Sequence, residues 1–270
     1  MTDPSRCSWL RCVRLLALAT LALWWDRTAS ARTGVRPLFE PTDLDLEQPG
    51  TLEADLQLGM IRGRGPWRVV IPDFEVDFGI HRNLEFDLDG AYAIEGPSRG
   101  PFAFDHAAPD SLWLSAKLGL LDWRNEQATI GWATGAQAGP KLPVAHGSHG
   151  VGAEALWLVG FTMKRTRLVL NSGAFYDPNP DPQTPRPVGL ELGLDVEHEL
   201  GSSGRFSLKG EVTGVYFLSP DPHQLASTFG PAWRPHPDLE LSLVGLVGYL
   251  GGGDRYGLLL GVAAKLHLFE

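Results

Sequence analysis

Apolar residues recur at every second position along most of this 270-residue chain. Between Leu239 and Phe269 it reads LELSLVGLVGYLGGGDRYGLLLGVAAKLHLF, two alternating runs joined by Gly251-Gly252-Gly253-Asp254. Successive side chains of a strand point to opposite faces, so Leu239, Leu241, Leu243, Gly245, Val247 and Tyr249 share one face of the first run. Tyr256, Leu258, Leu260, Val262, Ala264, Leu266 and Leu268 share a face of the second. Runs of about eleven to fourteen residues outlast the common soluble strand and match the length of a tilted strand that crosses a bilayer.

Twelve such runs are expected, near 51–62, 69–81, 84–95, 111–122, 127–138, 150–163, 166–176, 187–199, 204–218, 223–233, 238–250 and 255–269. The pattern predicts an all-β fold, an antiparallel up-and-down transmembrane β-barrel of about 12 strands spanning residues 51–269. Connections alternate in length. His81 to Asn83, Asp122 to Gln127, Lys164-Arg165, Gly201 to Gly204 and Arg234 to Asp238 form a short set. Pro97 to Pro109, Gly139 to Gly150 and Asp177 to Pro187 form a long set, with Gly63 to Arg68, Ser219 to Pro222 and the glycine turn as its shorter members. Proline lacks an amide donor and breaks ladders, so its concentration in these segments marks loops. In barrels of this kind the short turns face the periplasm and the long loops face outward.

Residues 1–31 carry the marks of a signal peptide: Arg6, Arg11 and Arg14, the apolar core Leu15 to Trp25, and the small-residue site Ala29-Ser30-Ala31. Both cysteines, Cys7 and Cys12, precede that core, so the processed chain is expected to have no thiol, disulfide or cysteine-bound zinc. Cleavage near Ala31 removes Arg6, Arg11, Arg14 and Arg27 with Asp3 and Asp26, moving the net charge from −9 to −11. That acidity disfavours nucleic acid as a partner. A mean hydropathy of −0.08 argues against a bundle of membrane-spanning helices and suits a barrel with one face in lipid and the other in water.

Trp67, Trp123, Tyr176, Trp233, Tyr249 and Tyr256 fall near strand ends, as interfacial aromatics do. On the opposite parity from the apolar series stand Glu53, Asp55, Glu75, Asp77, Glu85, Asp87, Asp89, Glu191, Asp195 and Glu197, expected to face the lumen together with Lys117, Lys209, Lys265 and His267. So many carboxylates require water, cations or these basic partners between them. A cation-favouring wall and a merely wet, ion-paired interior both satisfy that requirement. Gly131, Ala133, Gly135, Gly152, Gly160, Gly257, Gly261 and Ala263 share the inward parity and leave room for a solute, an inserted segment or bulkier facing side chains.

The ending HPDLELSLVGLVGYLGGGDRYGLLLGVAAKLHLF resembles the last hairpin of the bacterial outer-membrane transporters grouped as "MetA-pathway of phenol degradation". EVDFGIHRNLEFDLDGAY, DSLWLSAKLGLLD and GLELGLDVEHELGSSGRFSLKGEV are similar to their earlier hairpins, so the likeness runs over nearly the whole processed chain. The resemblance implies a Gram-negative outer-membrane barrel for passive passage of small, aromatic or apolar compounds, with outer-membrane lipid and the barrel assembly machinery as its other partners. One departure touches assembly: the chain places Glu270 after Phe269, where such barrels end on an aromatic residue.

Other chemistry has little footing. His146-Gly147-Ser148-His149 is the one close pairing of serine with histidine, but it lies in a glycine-rich loop without a G-x-S-x-G elbow, and no third metal ligand accompanies its H-x-x-H spacing. No catalytic residue, metal or cofactor is expected. His81, His106, His198, His223 and His236 are scattered over turns and loops and carry no assigned role. Residues 32–50 read as an extended periplasmic lead-in, with a short plug into the lumen as the alternative. The function classes rank as small-molecule channel, closed structural or interaction barrel, and outer-membrane lipid hydrolase.

Overall fold

A computed structural model describes residues 44, 46–62, 67–95, 106–109, 112–127, 129–143, 150–178, 187–218, 223–251 and 254–269. The expected leader and the His146 to His149 loop lie outside them. The strands are β1 (Thr51–Arg62), β2 (Trp67–His81), β3 (Leu84–Glu95), β4 (His106–Pro109), β5 (Leu112–Arg124), β6 (Ile130–Leu142) and β7 (Gly152–Met163), followed by β8 (Thr166–Tyr176), β9 (Val188–Leu200), β10 (Phe206–Phe217), β11 (Gln224–His236), β12 (Leu239–Gly248) and β13 (Tyr256–His267).

Every pairing is antiparallel, and consecutive strands from β5 to β13 pair with one another. Thr51 to Arg62 pairs along its length with His267 to Tyr256, which closes the sheet on itself and leaves no edge. The short β4 pairs with Tyr92–Glu95 while β5 takes Leu84–Asp89, so β4 and β5 are one stave and the barrel has twelve. This corrects the expectation that Pro97 to Pro109 is all loop. HAAP carries no alternation to read, and only pairing with β3 makes it a strand. Of the five histidines expected in turns and loops, His106 opens β4, His198 lies within β9, and His81 and His236 close β2 and β11.

Two prolines within strands mark irregularities. The register of β2 against β3 shifts between Val70 and Asp73, around Pro72, and that of β11 against β12 shifts between Trp233 and His236, around Pro235. A bulge leaves an amide without a ladder partner, which is where proline is tolerated.

The two faces separate by polarity. Leu56, Leu58, Leu168, Leu170, Leu190, Leu192, Leu258 and Leu260 are exposed on the outer face, in the belt where lipid supplies the apolar surroundings. Residues at the alternate positions of the same strands, Glu53, Asp55, Val169, Asp195 and Leu259, are buried. Among the described residues there is no helix.

Candidate functional site

The chemistry of this barrel lies inside it, near the end formed by the short turns and both ends of the ladder. Glu53, Asp77 and Glu85 have no solvent exposure at all, and Asp55, Asp87 and Lys117 have 1% each. Strand parity turns these side chains inward, and register then sets carboxylate against carboxylate: Glu53 opposite Asp77, Asp55 opposite Glu75, Asp77 opposite Asp87. Like charges directly opposed are destabilising, so cations and donors from other staves must compensate. Lys117 Nζ meets Glu85 Oε1 at 2.7 Å, and Lys265 Nζ meets Glu53 Oε2 at 3.3 Å. Ser115 donates to Asp87 at 3.1 Å, and Gln137 Nε2 donates to the same oxygen at 2.7 Å. Asp55, Glu75 and Asp77, and likewise Asp77, Glu85 and Asp87, bring ligand atoms within 4.8 Å of one another, a spacing that could hold a metal ion.

A second ionic cluster occupies the wall from β8 to β12. Lys209 pairs with Glu240 and stands 3.9 Å from Glu197. Arg234 binds Glu197 and reaches Glu240 Oε2 at 2.6 Å through Nε, while Arg167 approaches Glu197 at 3.3 Å. Asp195 is buried nearby on β9. Asp89 and Glu191, on the same inward parity, are half-buried. His267 departs from the lumenal expectation: it is half exposed at the rim, between Thr51 Oγ1 at 3.2 Å and Asp238 Oδ1 at 3.3 Å. As the last residue of β13 it has passed the level of the enclosed interior.

The interior seats part of the chain's own lead-in. Leu46 and Glu47 are buried, and Glu47 donates its backbone amide to Glu85 and accepts from Lys265 Nζ at 2.7 Å. The segment runs over inward-facing glycines. A methyl group built on Gly79 would stand 2.5 Å from the Glu47 carbonyl oxygen, and one on Gly119 would stand 2.8 Å from Leu46 Cδ1. Methyl groups on Gly160 and Gly135 would touch Leu44 at 3.4 and 3.7 Å. Of the interpretations open for the small inward residues, Gly135 and Gly160 therefore accommodate an inserted segment, and of the two for residues 32–50, the described part lies in the lumen. Gly79 and Gly119 were not singled out from sequence. Burial displaces the Glu47 carboxyl from 4.5 to about 8, loss of solvation acting first and the neighbouring Glu53 second.

Toward the long-loop end the buried inward residues are different in kind. Trp113, Leu156, Phe217, Val244 and Leu259 are all buried, and Phe175 meets Phe217 edge to face at 6.1 Å. Lys141 lies 5.5 Å above the Phe175 ring and pairs with Glu154 at 2.5 Å. Outside, the aromatics form two levels. Trp123 and Trp233 are exposed near the short-turn end, where Trp233 stacks on Phe206 at 6.3 Å. Tyr176, Tyr249 and Tyr256 are exposed at the long-loop end, where Trp67 opens β2.

No family model matches the chain, and no curated protein matches it. Solved structures do. It is similar to a KdgM porin with TM-score 0.51 and 7% identity, over 80% of this chain and 99% of that one. A CymD monoaromatic hydrocarbon channel gives TM-score 0.43 and 9% identity, over 83% and 90%. OccK11 (OpdR) of Pseudomonas aeruginosa gives 0.41 and 11%, over 83% and 99%. The likeness is one of fold: a closed, all-β, antiparallel barrel of the outer-membrane type. The resemblance to the phenol-degradation transporters holds at that level and no finer.

Proposed function

We propose that this protein is a channel of a Gram-negative outer membrane that passes small apolar or aromatic molecules passively. The observation that carries the reading is the division of the interior by height. Trp113, Leu156, Phe175, Phe217 and Leu259 turn inward toward the long loops beside the Lys141–Glu154 pair, while the two larger ionic clusters lie toward the short turns. An apolar solute gains from leaving water at such a wall, and a polar lumen made only to stay wet does not require one. The signal peptide expected at residues 1–31, the two aromatic levels and the exposed apolar belt agree with this location.

The outer membrane of an intact cell is itself a barrier to apolar compounds, so the reading is tested there. Cells that express the protein should take up a labelled aromatic hydrocarbon faster than cells that lack it, and Phe217→Asp should cancel the gain. Equal uptake in all three strains refutes it.

A closed structural barrel is the second reading, favoured by the complete burial of Glu53, Asp77 and Glu85. It differs from the first in having no open state.

A further inference from the structure

We propose that the segment carrying Leu44 and Leu46 to Gly50 is a resident gate, which closes the short-turn end of the lumen and must withdraw before solute passes. The proposal rests on the channel reading and adds to it a defined closed state.

The path of the segment is what closes the barrel. It leaves β1 at Gly50, passes Gly79 on β2 and Glu85 on β3, crosses Gly119 on β5 and ends at Gly135 and Gly160 on β6 and β7. In a barrel of twelve staves, β7 is the sixth counted from β1, nearly the opposite wall. The segment thus lies inside the lumen against one stave after another, covering the inner wall from β1 to nearly the opposite side.

Its two ends match the walls they meet. Glu47 lies among Glu53, Glu85 and Lys265 on the ionic side. Leu44 lies over Gly135 and Gly160; Leu158 on β7 and Val169, opposite Gly160 on β8, are both fully buried. Four separate staves offer glycine where the segment passes, and a methyl group on one of them, Gly79, would collide with the segment's own backbone. A barrel whose lead-in merely trailed into the periplasm would need none of these features.

The segment is also built to move. It belongs to no strand, and it joins β1 through Gly50, whose φ of +82° lies in the left-handed region open to glycine. The backbone bonds described at this hinge are Gly50 N to Gly79 O at 2.8 Å, Thr51 N to the Gln48 carbonyl at 2.9 Å and Leu268 N to the Gly50 carbonyl at 2.9 Å. Few bonds need break to release it, compared with unzipping a strand.

Gly79→Ala tests the gate in the full processed protein, reconstituted in planar bilayers. The added methyl falls against the Glu47 and Gln48 carbonyls, so the segment should be expelled and the open fraction should rise about tenfold. Gly210→Ala is the control, because its methyl makes ordinary contact at 3.8 Å and lies far from the segment. Reaction of a membrane-impermeant maleimide with Leu46→Cys should speed up in the Gly79→Ala background. A disulfide between Leu46→Cys and Gly119→Cys should abolish current until reduced.

If Gly79→Ala does not fold, Lys265→Met replaces it, since it removes the cation that holds Glu47. A maleimide rate unchanged by either substitution, or a wild-type current equal to that of the expelled variant, overturns the gate. A thiol that becomes reactive while no current appears upholds the segment's withdrawal and overturns the channel instead.

Discussion

Glu47 and Lys265, 218 residues apart in the chain, meet at 2.7 Å inside the barrel. The pair joins the segment before β1 to the last strand. Its consequence for conduction depends on pH. Glu53 from β1 and Lys265 from β13 face the Glu47 carboxyl, and Glu85 from β3 accepts from its backbone amide; burial raises the carboxyl from 4.5 when free to about 8 in place. The inserted state therefore holds a proton that the withdrawn state releases. Insertion has its full added stability below about pH 4.5 and loses it as the pH rises through about 8. Open fraction in planar bilayers should increase from acid to alkaline pH, and Glu47→Gln should flatten the profile. A channel that opens toward acid contradicts this linkage.

Lys209 is expected to be a stability residue. Its ammonium is buried between Glu240 and Glu197, so Lys209→Met leaves carboxylates in the interior with fewer cations to offset them. Loss of one member of a buried pair costs about 3–5 kcal/mol. Urea unfolding in detergent micelles, followed by the shift between folded and unfolded bands on unheated gels, should show it.

The outer face makes the opposite demand. Leu260 is 59% exposed in the middle of β13, where Leu260→Arg should cost about 2–4 kcal/mol in a bilayer by placing a charge in hydrocarbon. The same substitution should be nearly silent in a water-soluble sandwich, so folding titrations in lipid vesicles distinguish the two.

At the two-residue turn between β7 and β8, Lys164 has φ of 56°, the one non-glycine residue at positive φ among those described. Lys164→Gly removes the side-chain penalty of that conformation and should stabilise the barrel by about 1 kcal/mol. A loss of stability in the same unfolding assay would show that the lysine contributes more than its backbone strain costs.

Orientation is open to a direct test. An epitope inserted after Gln183, in the connection from β8 to β9, should be bound by antibody on intact cells, because the long connections are expected to face outward. Binding only after the cells are opened reverses the assignment.

The expected bounds of β1, β3 and β8 coincide with the strands at 51–62, 84–95 and 166–176, and most of the others fall within three residues. They were legible because the period of two is a local property: each residue's choice of lipid or lumen is written in its own side chain. The inward parity of Glu53, Lys117 and Lys209 could be read for the same reason. What could not be read depends on which strand meets which, and at what offset. Alternation does not reveal that Asp77 opposes Asp87, that Pro72 and Pro235 sit at shifted registers, or that HAAP is a strand at all. Nor does it place Leu44 over Gly160 or join Glu47 to Lys265. The sequence by itself determined a cylinder with grease outside and charge within. Only the closure of twelve staves decided what that charge encloses, because packing across a lumen follows from distances that no local pattern contains.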